Sequence, residues 1–174
     1  MDARWIAYGI VAVAFVGAIG LLALSTGIAA PFFGDGYDPA AADGSYEHTT
    51  VTVYDGGTGA ELGSVEAAIA DTFSKRYIGL SGTDSLPADR GMLFVHDSSA
   101  ERSYVMRGMA FGIDIVFADA DGTITAIHEA PAPGPDEDGN EQAYAGTGRY
   151  VLEVNRGWTT DRGVETGDEL GFEL

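Results

Sequence analysis

Cysteine is absent from the 174 residues, and lysine occurs once, at Lys75. Without cysteine there is no disulfide, no thiolate metal site, no cysteine nucleophile and no lipidated cysteine anchor. Basic residues of any kind are scarce, 9 against 27 acidic ones, for a formal net charge of −18. Nothing in that balance could neutralise a row of phosphates, which argues against nucleic acid as a partner. No Gly-x-Ser-x-Gly elbow appears, and no serine or threonine stands in a recognisable triad context. Gly57, Gly59 and Gly63 lack the Lys-Ser/Thr ending of a phosphate-binding loop. There is no internal repeat.

The acidic surplus has a physical reading of its own. Acidic side chains bind water and cations strongly, and at molar salt the screening length shrinks to about 3 Å, which makes the self-repulsion tolerable. The composition reads as that of a halophile's protein, with an acidic protein of a low-salt organism as the alternative.

The stretch "RWIAYGIVAVAFVGAIGLLALSTGIAAPFFGDG" carries no charge between Arg4 and Asp35. As a helix, residues 6–30 would measure about 37 Å, against a bilayer core of about 30 Å. Residues 1–33 therefore predict a single transmembrane anchor, with Trp5 and Tyr8 at one interface. Arg4 is the sole nearby positive charge, which keeps the N-terminus cytoplasmic and sends the rest outside. A cleaved signal peptide is the alternative, with a small-residue site near Ala29; its apolar region normally runs only about 7–15 residues. Residues 34–45, "GDGYDPAAADGS", read as a flexible acidic linker.

Residues 46–174 read as a domain of short strands. "EHTTVTVY" alternates, and "GSVEAAIA" can pair with it across "DGGTG". Asp71 can cap a short helix through "TFSKRYIGL" that ends near Gly79 or Gly82. "GMLFVHD", "RSYVM" and "RYVLEVN" are further strands, and "GIDIVFADADGTITAIHEA" is a hairpin turning at Asp121-Gly122. "APGPDEDGNEQ" is a surface loop. Asn155 can cap one helical turn that ends at Gly163, and "DELGFEL" closes the chain as a strand. The fold class is α+β, mainly β: a compact antiparallel sheet or small barrel with one or two short helices.

The order of three segments carries a resemblance. "DTFSKRYIGLSGTDSLPADRGMLFVHD", "YVMRGMAFGIDIVFADADGTITAIHEAPAP" and "YVLEVNRGWTTDRGVETGDEL" together resemble the DUF192 family of uncharacterised prokaryotic domains. Gly91-Met92-Leu93-Phe94, Met106, Asp114 with Phe117, Asp121-Gly122 and Val151-Leu152-Glu153 with Gly157 carry it. The family typically reads Trp-Met-Lys-Asn-Thr where this chain has Val105 to Met109, and a family arginine falls near Thr83. The resemblance implies no established reaction, cofactor or substrate.

Candidate site residues follow from strand parity. Asp114 faces away from Ile113, Ile115 and Phe117 on a fairly apolar face, where an ionised carboxylate is costly unless partnered. Arg107, just before that strand, can offer a forked donor. Glu153 faces away from Tyr150, Leu152 and Val154. Arg107, Asp114 and Glu153 are therefore expected to meet, either as a structural ion-pair cluster or as a polar pocket in which Arg107 holds an anionic group. Asp114 and Glu153 as acid and base of a hydrolase are the enzymatic alternative.

Other constellations are weaker. His48, His96 and His128 show no metal-ligand spacing. Neither Asp119 nor Asp136 opens an EF-hand loop, because position 6 would be Ile124 or Glu141. Met92, Met106 and Met109 sit among apolar neighbours, as core residues do. No metal or cofactor is expected. The function expected is that of a membrane-tethered, extracytoplasmic domain binding a small ligand or an envelope protein without catalysis; a purely structural cell-surface role is a further alternative.

Overall fold

The computed structural model describes residues 46–81 and 83–174. The expected anchor, 1–33, and linker, 34–45, lie outside the described residues. Among the described residues no helix is long and apolar enough to cross a membrane.

The domain is mainly β. Its strands are β1 (His48–Tyr54), β2 (Glu61–Ala70), β3 (Arg90–Val105), β4 (Ile113–Ala118), β5 (Ile124–Ala130), β6 (Ala143–Asn155) and β7 (Glu169–Gly171). They form one sheet in the order β5-β4-β6-β3-β2-β1-β7. The sheet curls into a half-barrel whose two ends approach each other. Leu170 N–H donates to the Gly122 carbonyl at 2.9 Å, and Ile124 N–H to the Asp168 carbonyl at 2.7 Å.

Side-chain alternation divides the sheet into two buried faces. The concave face collects Val51, Val53, Val65, Leu93, Val116, Leu152, Val154 and Leu170, closed by Trp158 and Val164. The other face carries Met92, Phe94, Ile113, Ile115 and Phe117, all essentially inaccessible to solvent. With both faces covered, every residue of β4 is buried.

Two elements cover that second face. One is a long ribbon made of the far ends of β3 and β6. The pairing slips between Val95 and Ala100, and beyond the slip Ala100–Val105 continues against Ala143–Gly148. Such a bulge bends a strand and sharpens its twist, so the ribbon folds back over the sheet. Tyr104 arrives edge-on to Phe94 and Phe117, with centroids 5.0 and 5.7 Å apart. Gly146 lies flat on the Phe117 ring, where a Cβ would stand 2.5 Å from Cγ. His128 Nε2 donates to the Ala145 carbonyl at 2.8 Å and holds the ribbon down.

The second cover is the crossover between β2 and β3, residues 71–89. It contains α1 (Phe73–Ile78), the one α-helix among the described residues. The sheet is mainly antiparallel, as expected, and the crossover adds one parallel pair, β2 with β3; a connection this long returns the chain to the end from which it left. The helix cap is Thr72, whose side chain accepts from Lys75 N–H, and not Asp71, which pairs with the Lys75 ammonium at 2.8 Å. Gly79 ends the helix as expected, with φ 54°. Asn155 does not cap a turn with its side chain. Its amide donates instead to the Leu86 and Pro87 carbonyls at 2.9 and 3.0 Å, tying the crossover to β6. The single turn of 3-10 helix, Thr160–Arg162, does end at Gly163, with φ 69°.

Candidate functional site

Asp114 lies on the concave face, because β4 pairs it with Val154 of β6. Its Oδ1 accepts from Gly157 N–H at 2.9 Å, and its Oδ2 accepts from Thr159 N–H at 2.9 Å and from the Thr159 hydroxyl at 2.7 Å. Both oxygens are thus spent on the turn that follows β6. This is the hydrogen bonding that a fully buried carboxylate requires, and Arg107 has no part in it.

Glu153 is one residue out of step with Asp114. It pairs with Met92 on one side and Ile115 on the other, so it opens onto the second face. The expected meeting of Arg107, Asp114 and Glu153 therefore does not occur. Arg107 and Glu153 share one cleft, and Asp114 stands behind the sheet.

The cleft lies between α1 and the folded ribbon and has a volume of about 540 Å³. Phe94, His96, Tyr104 and Glu153 are among its lining residues, with Gly79 and Ser81 on the helix side. Gly79 brings the chain close to Phe94, since a Cβ there would stand 3.3 Å from Cζ. Three arginines line the cleft, Arg76, Arg102 and Arg107, out of 9 basic residues in the whole chain.

Backbone carbonyls brace all three. Arg76 donates to the Asp71 and Val95 carbonyls at 2.6 and 2.8 Å. Arg102 donates to those of Gly148 and Ser98 at 3.0 and 2.6 Å. Arg107 donates to the Tyr77 carbonyl and stacks 4.1 Å above the Tyr77 ring. Its own carbonyl accepts from the Ser81 hydroxyl at 2.6 Å. Among the described residues no carboxylate pairs with any of them; the ion pairs belong to Lys75, Arg90 and Arg156.

The floor is chemically the reverse of an acidic patch. Glu153 is only 6% exposed, and burial pushes its carboxyl up to about 8. At neutral pH it is mainly the uncharged acid, a hydrogen-bond donor. Among the described residues no hydrogen-bond partner reaches it. His96 Nε2 and the Tyr104 hydroxyl bond at 2.9 Å. Burial, then Arg102 and Arg76, hold His96 down to about 4 against the opposing pull of Asp97. The Tyr104 phenol is raised, first by burial and then by Glu153. Floor and walls thus combine neutral polar groups with three cations, Glu101 being the one further acid in the lining.

The rim is apolar. Among the described residues six large apolar side chains are exposed, and four of them, Phe73, Tyr77, Ile78 and Val105, line this cleft. Phe73 is 79% exposed and Tyr77 62%. The sequence drew attention to Arg107 and Glu153 but missed Arg76, Arg102, Tyr104 and the apolar rim. The available signal is that Lys75, Arg76, Arg102 and Arg107, four of the chain's 9 basic residues, fall in two short segments, 75–76 and 102–107, of an otherwise acidic sequence. The three histidines lie on different strands, and among the described residues no cluster of His, Asp and Glu could hold a metal ion.

The DUF192 family model, described as an uncharacterized ACR, matches residues 55–172. No curated protein matches the chain. Among solved structures, one described as a proposed transcription regulator of Sinorhizobium meliloti 1021 is similar, with a TM-score of 0.65 and 28% identity over 74% of this chain and 95% of that one. A protein of unknown function from Novosphingobium aromaticivorans DSM 12444 shares the fold, with a TM-score of 0.61 and 24% identity over 76% of this chain and 95% of its own.

Proposed function

The chain belongs to the DUF192 family, and on that footing we propose that residues 46–174 form a non-catalytic binding module. Residues 1–33 hold it at the outer side of a membrane, and its cleft captures a small ligand with an anionic group. The observation that carries this reading is the cleft itself: about 540 Å³, with three arginines free of carboxylate partners and a buried acid awaiting an acceptor. Pockets of this size suit a small organic ligand, and a guanidinium braced by carbonyls is set to hold an oxyanion. In a chain with 9 basic residues against 27 acidic ones, three arginines that face one cleft without a carboxylate partner form a local positive site for an anion.

A hydrolase built on Asp114 and Glu153 has no support in this geometry. The two carboxyls open on opposite sides of the sheet, and Asp114 is fully engaged. Nor does the regulatory description of the Sinorhizobium protein transfer easily to a chain with so few cations to meet phosphates.

The test is thermal unfolding of the full chain, solubilised from membranes, with panels of small organic anions and cations. At a fixed, high ionic strength that already screens the net charge of −18, the anions should raise the midpoint, the cations should not, and Arg107→Ala should lose the effect. A midpoint indifferent to every anion would refute ligand binding. Protease treatment of intact cells should remove the domain and leave a membrane-bound stub; a domain untouched outside and found in the cytosol would refute the placement.

A further inference from the structure

Resting on the small-anion reading above, we propose that the ligand is an amphiphilic oxyanion: its charged head accepts a hydrogen bond from Glu153 between the arginines, and its apolar body lies along Phe73, Tyr77, Ile78 and Val105. Each part of that description answers a different feature of the cleft.

The head must accept a hydrogen bond, because the Glu153 carboxyl points into the cleft with no partner among the described residues and an uncharged acid has a proton to give. It must also be negative. Arg76, Arg102 and Arg107 face the same space, Glu101 is their one charged opponent, and His96 and Tyr104 are uncharged. A neutral acceptor would leave these cations unused, and a cation would be repelled. Carboxylates and phosphate monoesters both meet these terms.

The body must be apolar, because the rim is. A head alone would leave Phe73 and Tyr77 in water, where they now stand 79% and 62% exposed, and would fill little of a cleft of about 540 Å³. Covering this rim with an aryl or alkyl group removes apolar area from water and favours binding by about tenfold or more.

Glu153 sets the pH behaviour. The charged and titratable groups facing it are His96, Glu101, Arg102 and Tyr104 from β3, Arg76 and Tyr77 from α1 and Arg107 beyond the ribbon, with apolar Ile115 from β4. His96 is already neutral well below pH 7 and Tyr104 stays protonated well above it. Ionisation of Glu153, at about 8, therefore turns the donor into a repelling anion near the top of the physiological range.

The experiment measures dissociation constants calorimetrically for the full chain in lipid nanodiscs. The probes are water-soluble: phenylacetate and phenyl phosphate, with acetate and inorganic phosphate as heads without bodies, and benzyl alcohol and phenethylammonium as bodies without the anion. One or both aryl oxyanions should bind about tenfold or more tighter than the matching head, and the alcohol and ammonium should not compete. Which aryl oxyanion wins separates the carboxylate source from the phosphate source.

Affinity should fall as pH rises above about 8 in the wild type. It should be flat with pH in Glu153→Gln, which keeps a donor but cannot ionise, and Phe73→Ser should weaken the aryl probes while sparing the bare heads. Heads that bind as well as aryl oxyanions, or a Glu153→Gln variant with the wild-type pH profile, would overturn this inference and leave anion binding standing. No binding by any anion would overturn both. A photo-crosslinker at position 73 that captures another polypeptide, undisplaced by the aryl probes, would assign the rim to a protein and overturn it as well.

Discussion

Asp114 and Glu153 stand on neighbouring strands one residue out of register, and their carboxyls open on opposite faces of the sheet. One is saturated with donors and faces the core; the other has none and faces a cleft. Two buried carboxyls so close together in the sheet thus do unrelated work, and substitutions should separate them.

Asp114→Ala leaves Gly157 N–H, Thr159 N–H and the Thr159 hydroxyl without their acceptor. Each abandoned buried donor costs about 1–3 kcal/mol, so the expected loss is about 3–5 kcal/mol after local relaxation. Asp114→Asn keeps one acceptor oxygen and should lose about half as much. Urea unfolding checks both. A stable Asp114→Ala chain would mean the turn after β6 holds itself.

Glu153 should make stability fall with rising pH. Its carboxyl is raised from 4.5 to about 8 in the native state, so between those values the native chain keeps a proton that the unfolded chain has released. The full contribution is present below about 4.5 and is lost as pH climbs through about 8, a total of up to a few kcal/mol. Glu153→Gln should flatten that part of the profile. Denaturation midpoints from pH 4 to 9 decide it; parallel wild-type and variant profiles would show that the cleft hydrates the carboxylate.

Gly146→Ala tests how tightly the ribbon lies on the sheet. The new methyl would meet Phe117 Cγ at 2.5 Å and both Cδ atoms at 2.6 and 2.8 Å, and that ring is itself fully buried, so the ribbon has to shift. Overpacking of this kind costs about 1–3 kcal/mol. Because the ribbon is one wall of the cleft, ligand affinity should fall with it, and Phe117→Leu should recover part of both by removing the ring. An additive double variant would show that the two residues are not coupled.

How much of this could be read from the sequence depends on whether local chemistry or distant pairing decides it. The β1–β2 pair, the turn at Asp121-Gly122 and the helix end at Gly79 follow from alternation and from glycine at positive φ, and all three appear. The near half of β6 was legible in "RYVLEVN". Its far half, "AYAGTG", was not, because small residues carry little strand preference and are there to let the ribbon approach Phe117. "GMLFVHD" and "RSYVM" read as separate strands because the bulge between them interrupts the pattern; they are one strand, β3. Parity placed Asp114 and Glu153 each on the correct side of its own strand. It could not give the register between β4 and β6, and that single step decides whether the two carboxyls meet. Local pattern likewise carries no signal that Tyr77, thirty residues before Arg107, supplies it with both a carbonyl and a ring.

Salt should act on the fold and on the cleft with opposite sign. The net charge of −18 repels itself over a screening length of about 10 Å at 0.1 M and about 3 Å at 1 M salt, so added salt should raise the unfolding midpoint steeply over that range. The same ions screen the three cleft arginines and compete for them, so anion affinity should drop as the midpoint rises. Sulfate and chloride at matched ionic strength separate screening from competition, since both should stabilise the fold but sulfate should displace an oxyanion ligand more effectively. If affinity instead rises with salt in step with stability, the ligand is held by its apolar body alone, and the arginines serve only to pin α1 and the ribbon through the carbonyls they already hold.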